Sequence, residues 1–226
     1  VSLPALLAAT HAGPALAKPL GERALRRRCR ALGALCLTYD DGPSTRLTPR
    51  VLDALAEREA RATFFALGAR AAGAPAVLDR LVAAGHEVGC HGHDHLDALR
   101  SRPAAARRDV ERGFAALAPW TGAGAPFRPP HGRLAGASWL AARRRGAPLA
   151  WWTVDGADTR PDLPDPEEVV RAVAAAGGAV VLLHDFDRDP PEPEREDFVV
   201  GLTGALLAHA ERAGWRVLTA GELLRA

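Results

Sequence analysis

The sequence predicts an α/β fold in which parallel strands are covered by helices. Three observations carry this reading. Strand-like apolar runs alternate with amphipathic helical runs along most of the chain. A length of 226 residues suits one domain with one sizeable core. The polar residues that call for explanation follow directly after the strand-like runs, where parallel α/β folds build their sites.

In chain order, residues 34–39 (ALCLTY) read as a buried strand. Residues 48–60 read as a helix with Leu47, Val51, Leu52 and Leu55 on one face. Residues 62–66 are the next strand, and 74–84 a helix stopped by Gly85. A short strand over 87–90 precedes a helix over 103–117, opened by Ser101 and Pro103, and a shorter helix over 139–145. Residues 149–154 (LAWWTV) read as a strand and 166–176 as a helix. A fully apolar strand over 179–183 precedes a helix over 199–213, a strand over 215–218 and a last helical turn over 221–224. About seven strands allow either a barrel or an open doubly wound sheet, and the connections alone do not decide between them.

Composition narrows the function classes. Hydrophobic residues are 48% and charged residues 25%, which excludes a disordered or collagen-like chain. A net charge of +2 supplies no overall basic field for nucleic acid. Lys18 is the sole lysine among 29 basic residues, a bias that reads as genomic coding rather than an arginine-built site. The run over 23–30 (RALRRRCR) reads as a solvated helix face. Cys29, Cys36 and Cys90 do not make a disulfide framework, so a reducing compartment is the simpler reading. No stretch reaches the roughly 18 apolar residues of a spanning helix. Residues 1–33 read as an N-terminal arm ahead of a domain over 34–226, with a trimmed secretory signal over 1–17 as the alternative. A cytoplasmic location is slightly favoured on this chain, and a secreted or cell-envelope one if a signal precedes it. The protein is expected to be a monomer.

Five segments hold the candidate chemistry. Asp40 and Asp41 end the first strand before Gly42-Pro43, and adjacent carboxylates repel unless a cation lies beside them. The competing reading is a turn with an aspartate cap. His91, His93 and His95 follow the third strand. One helical turn would bring His91 and His95 to one side, a frequent metal-ligand spacing, and point His93 elsewhere. A surface histidine cluster is the alternative, and Cys90 reads as core. Arg128-Pro129-Pro130-His131-Gly132 places an arginine on a backbone stiffened by prolines, able to hold a carboxylate bidentately. Asp155 and Asp158 follow the strand with Trp151 and Trp152, which read as core. His184 ends an apolar strand, where burial and neighbours tune its pKa. The acidic, proline-rich stretch over 185–197 reads as a solvated connection, with an anion-repelling rim as the alternative.

In this order the segments resemble the polysaccharide deacetylase family, the NodB-homology group or carbohydrate esterase family 4. TYDDGPS is similar to its TFDDGP-type motif, HGHDH to H-[ST]-x-x-H, RPPHG to R-x-P-[YF]-G, VDGAD to D-x-x-D-W and LLHD to L-x-x-H. The resemblance spans roughly residues 35–224 and implies a distorted (β/α)7 TIM-like barrel. It implies a hydrolase that removes acetyl from an N-acetylated amino sugar with a divalent metal, zinc being expected and cobalt or nickel the alternatives. By the same resemblance Asp41, His91 and His95 hold the metal, Asp40 is the general base and His184 the general acid. Arg128 tunes the base, Asp158 orients His184, the backbone N–H of His131 serves the oxyanion and Leu182 lines the acetyl pocket. Deacylation of a non-sugar amide or O-acetyl ester, and a non-catalytic glycan-binding relic, are the competing functions.

Three positions depart from the family pattern. Gly92 stands for Ser or Thr and removes a loop-bracing hydroxyl. His131 stands for an aromatic residue and Thr159 for Trp, which changes the groove walls. A small or unusual glycan is the substrate expected from these changes.

Overall fold

The computed structural model describes residues 12–226; the apolar start over 1–11, part of the expected arm, lies outside them. Helix α1 (Ala12–Leu32) buries Leu25 and Cys29. Strand β1 (Ala34–Asp40) follows, every residue buried, as its continuous apolar run requires of a central parallel strand. The chain then alternates through α2 (Leu47–Ala56), β2 (Thr63–Ala66), the single turn α3 (Gly68–Ala71), α4 (Pro75–Ala83) and β3 (Glu87–Cys90). It continues through α5 (Pro103–Leu117), α6 (Gly136–Arg144), β4 (Val154–Asp155), α7 (Pro166–Ala176), β5 (Ala179–His184), α8 (Pro193–Arg212), β6 (Arg216–Val217) and α9 (Ala220–Arg225).

All pairings are parallel, in the order β3-β2-β1-β5-β4, with β6 beside the start of β1. Register brings Asp40 opposite His184 across β1 and β5 and opposite Phe65 across β1 and β2. Beyond β3 the pairing continues in single bridges, Cys90 to Phe127 and Phe127 to Leu149. Six regular strands are thus present among the described residues, and Phe127 holds the position of a further one.

The expected strand over 149–154 shrinks to Val154–Asp155. Its ladder is broken at Thr153, whose Oγ1 accepts the Val180 N–H at 3.0 Å in place of a backbone carbonyl. The stretch over 185–197 is a solvated connection only in its middle, where residues 189–194 are exposed, and not at its ends. Asp185 is buried, and Glu196 is buried against Arg46 and Arg50. Asp187 accepts the N–H groups of Thr45, Arg46 and Leu47, capping α2, whose own N-cap residue Arg46 offers no acceptor. Asp185, Asp187 and Glu196 are thus engaged within the fold, and α8 begins inside the stretch at Pro193.

Candidate active site

Asp40 is buried at the end of β1 and Asp41 follows in a left-handed conformation at φ 72°, and one oxygen of each carboxylate lies 3.6 Å from His91 Nε2. Arg128, with no exposed surface, reaches across the strand ends. Its Nη1 donates to Asp40 Oδ1 at 2.7 Å and Thr38 Oγ1 at 2.8 Å, and its guanidinium lies 4.1 Å from the Phe65 ring centroid. Burial pushes the Asp40 carboxyl above the usual carboxylate range, opposed chiefly by the Arg128 charge. The result is a buried carboxylate more basic than one in water.

His91 and His95 converge on Asp41, at 3.6 and 3.3 Å from their Nε2 atoms to Asp41 Oδ1. They do so from a loop, which corrects the expected helical turn: Gly92 (φ 85°) and His95 (φ 55°) are left-handed. The loop is held on all sides. Gly68 and Ala69, opening α3, donate to the carbonyls of Gly92 and His93. Asp109 on α5 accepts the Asp94 N–H at 2.7 Å, and Gly113 of α5 lies so close that a Cβ there would stand 2.6 Å from the Gly92 carbonyl. His93 points away, to Asp94 and Arg112, as the spacing implied.

A divalent metal fits this trio on three counts. The ligand atoms lie within 4.8 Å of one another. Asp41 Oδ1 is buried with no hydrogen-bond partner, an orphan that a cation would satisfy. Burial pulls the His91 pKa down to about 3, which keeps the ring neutral. Its Nδ1 pairs with the Arg128 carbonyl at 2.8 Å and leaves Nε2 free.

His184 ends β5 opposite. Its Nδ1 lies 3.0 Å from Asp158 Oδ1, and its backbone N–H donates to Asp158 Oδ2 at 3.2 Å. Burial alone would lower the His184 pKa, but the Asp158 hydrogen bond and charge, with Asp40 and Asp41 behind them, raise it to about 9. The ring is therefore an imidazolium at neutral pH. His131 occupies a tight turn at φ 56°, its ring 4.3 Å from that of His95, and its own N–H forms no backbone hydrogen bond among the described residues. Leu182 is buried beneath His184. Trp151 is core, Trp152 is half-buried, and Thr159 is exposed.

Several residues outside the proposed roles support the site. Arg70 donates to the Asp41 carbonyl at 2.7 Å, Thr38 props Arg128, and Asp185 accepts from Thr48 Oγ1 at 2.7 Å. Asp109 carried a readable signal: it is a charged residue on the buried face of α5, with Ala106, Val110 and Gly113. It braces the loop through the Asp94 N–H and fills the space beside Gly92. A Cβ on Gly92 would collide with Asp109 Oδ2. Gly92→Ser should therefore destabilise the protein by about 1–3 kcal/mol through left-handed strain and this clash. Thermal unfolding checks it, and pairing the change with Asp109→Ala should recover part of the loss.

The sequence model of the family described as polysaccharide deacetylase matches residues 28–150. A peptidoglycan-N-acetylglucosamine deacetylase of Bacillus cereus is 32% identical over 193 residues, covering 84% of this chain and 88% of its own. A chitooligosaccharide deacetylase of a Bradyrhizobium species is 34% identical over 192 residues, covering 80% and 86%. Among solved structures, a family 4 carbohydrate esterase from Streptomyces lividans, in complex with acetate, superposes with a TM-score of 0.69 at 26% identity over 83% of this chain and 91% of its own. The fold is the distorted (β/α)7-barrel type of these enzymes, and the chain belongs to the polysaccharide deacetylase family.

Proposed function

We propose that the protein is a metal-dependent hydrolase that removes acetyl from an N-acetylated amino sugar. The observation that carries this is a pair of groups tuned in complementary ways, register partners at the ends of β1 and β5, beside the Asp41, His91 and His95 trio. Asp40 is a carboxylate made more basic by burial, and His184 is an imidazole kept protonated by Asp158. The relatives from Bacillus cereus and Bradyrhizobium, named for peptidoglycan and chitooligosaccharide, supply the substrate class.

Asp41, His91 and His95 would hold a divalent ion, and two imidazoles with one carboxylate favour zinc over magnesium or calcium. Such an ion supplies Lewis acidity, polarising the acyl carbonyl and making an attacking water more acidic. Asp40 accepts the proton of that water as its oxygen bonds to the acetyl carbon. Arg128 keeps Asp40 oriented through the 2.7 Å bond and stops its pKa from rising out of reach. The free N–H of His131 donates to the developing oxyanion. His184 then gives its proton to the departing nitrogen, the C–N bond breaks, and acetate and the free amine leave. Leu182 contributes an apolar wall for the methyl group, and the exposed Thr159 leaves one groove side open to a small or unusual glycan.

The test is acetate release from chitin oligomers, peptidoglycan and small amino-sugar conjugates, with and without a chelator. The expected result is release abolished by chelation and restored by zinc, cobalt or nickel. Release indifferent to chelation, or confined to O-acetyl esters, would overturn the proposal.

The acid role gives a pH prediction. The alkaline limb of kcat/KM should lie well above the ordinary histidine value, toward about 9, because His184 must be protonated. Asp158→Asn should move that limb to lower pH and reduce the rate. The same pairing contributes stability that is full below about 6.5 and is lost as pH rises through about 9.

A further inference from the structure

The surface flanking the catalytic mouth carries an unusual charge pattern. Between Glu111 and Asp155 the chain has no acidic residue, yet α6 ends in exposed Arg143, Arg144 and Arg145. On α1, residues four, seven and eleven positions after Leu16 lie on one line of the helix, and these are Leu20, Arg23 and Arg27. This line faces opposite the buried Leu25 and Cys29. Arg26 and Arg30 are exposed beside it. The two elements adjoin: Leu149 lines the groove under α1 with Gly21 and Ala24, and also the groove beside α6 with Ala142 and Arg143. The one acid on α1, Glu22, lies inward beside Lys18 at 3.9 Å. Among the described residues no ion pair engages Arg23, Arg26, Arg27, Arg143, Arg144 or Arg145.

Leu16 and Leu20 are 59% and 63% exposed on the same line. Arginines alone would suit any polyanion. Arginines with adjacent exposed leucines suit an interface that has both an anionic plane and an apolar layer beneath it. We infer that the outward face of α1, continued by the end of α6, docks on the surface of an anionic lipid bilayer. No helix of the described residues is long and apolar enough to cross one, so the contact is peripheral. Lys18, over the Trp152 ring and beside Gly132, places the α1 N-terminal end near the site turn, so the bilayer would lie along the flank of the mouth.

The experiment is co-sedimentation of the full chain with vesicles of phosphatidylcholine alone or with ~30 mol% phosphatidylglycerol. The expected result is partitioning at least about tenfold stronger on the anionic vesicles and lost near ~0.5 M salt. Arg23→Gln, Arg27→Gln, Arg143→Gln and Arg144→Gln together should lower it about tenfold or more. Leu16→Ser with Leu20→Ser should weaken vesicle binding severalfold and leave binding to soluble polyphosphate unchanged. All these positions are exposed and outside the site, so circular dichroism and acetate release from soluble oligomers should match the unaltered chain. No binding, equal binding to both vesicles, or leucine variants that bind vesicles normally would overturn the inference. The last result would indicate a soluble polyanion partner, and salt-independent dimers through this face would indicate a second copy.

Discussion

Asp40→Asn should lower turnover by about 10²–10⁴-fold, the usual contribution of a positioned acid–base group. The amide cannot accept a proton, yet its oxygen can still accept the Arg128 Nη1 bond made at 2.7 Å in the parent. Arg128 keeps this bond but loses its counter-charge while fully buried, so folding should survive with a stability loss of about 3 kcal/mol or less. Affinity for metal, read by titration of the purified chain with zinc, should change far less than turnover, because the proposed ligands are Asp41, His91 and His95. Unchanged turnover would remove Asp40 from the role of base. A parallel collapse of zinc affinity would instead place it among the ligands, where its Oδ2, 3.6 Å from His91 Nε2, lies close enough to be considered.

Arg128→Met should cost more in stability than any other single change at the site. It leaves Asp40 buried without its counter-charge, a situation that typically costs about 3–5 kcal/mol. It also removes the main influence holding the Asp40 pKa down, so the carboxyl is pushed further up and activity falls by the same stroke. Denaturant unfolding and the acid limb of kcat/KM check both effects: the midpoint falls, and any residual activity moves to higher pH. Arg128→Lys should rescue little. Both short bonds to Asp40 and Thr38 leave the one nitrogen Nη1, but a shorter ammonium lacks the second nitrogen that reaches the Trp151 carbonyl at 3.4 Å and the planar group that lies over the Phe65 ring. A lysine variant of full stability and activity would show that charge alone suffices there.

The sequence disclosed the strand ends well because parallel strands buried on both faces are written as unbroken apolar runs, so Asp40, His91 and His184 stand out against them. It was weaker where long-range contacts decide the outcome. The spacing of His91 and His95 fits a helical turn, but bonds from α3 and from Asp109 hold that segment as a loop. Neither influence is local in sequence. The acids over 185–197 look solvated in isolation, since nothing nearby reveals that the N–H groups at the start of α2 need Asp187 or that Arg46 and Arg50 need Glu196. Arg70 likewise reads as an ordinary helix residue until the Asp41 carbonyl is placed beside it. The apolar run over 149–154 overstates the strand because a threonine side chain can take a ladder bond, which an apolar pattern cannot express.

The full enclosure of Arg128 against Asp40 has a consequence for ionic strength. Mobile ions screen over about 8 Å at physiological salt, but only between charges they can approach. Dissolved ions cannot enter between these two groups, so turnover on a neutral oligosaccharide should be nearly flat across a salt series. The arginines on α1 and α6 face solvent and have no such shelter. Salt would thus act as a dial on where the protein resides while leaving what it does untouched, and an assay on dissolved substrate would miss the first effect entirely.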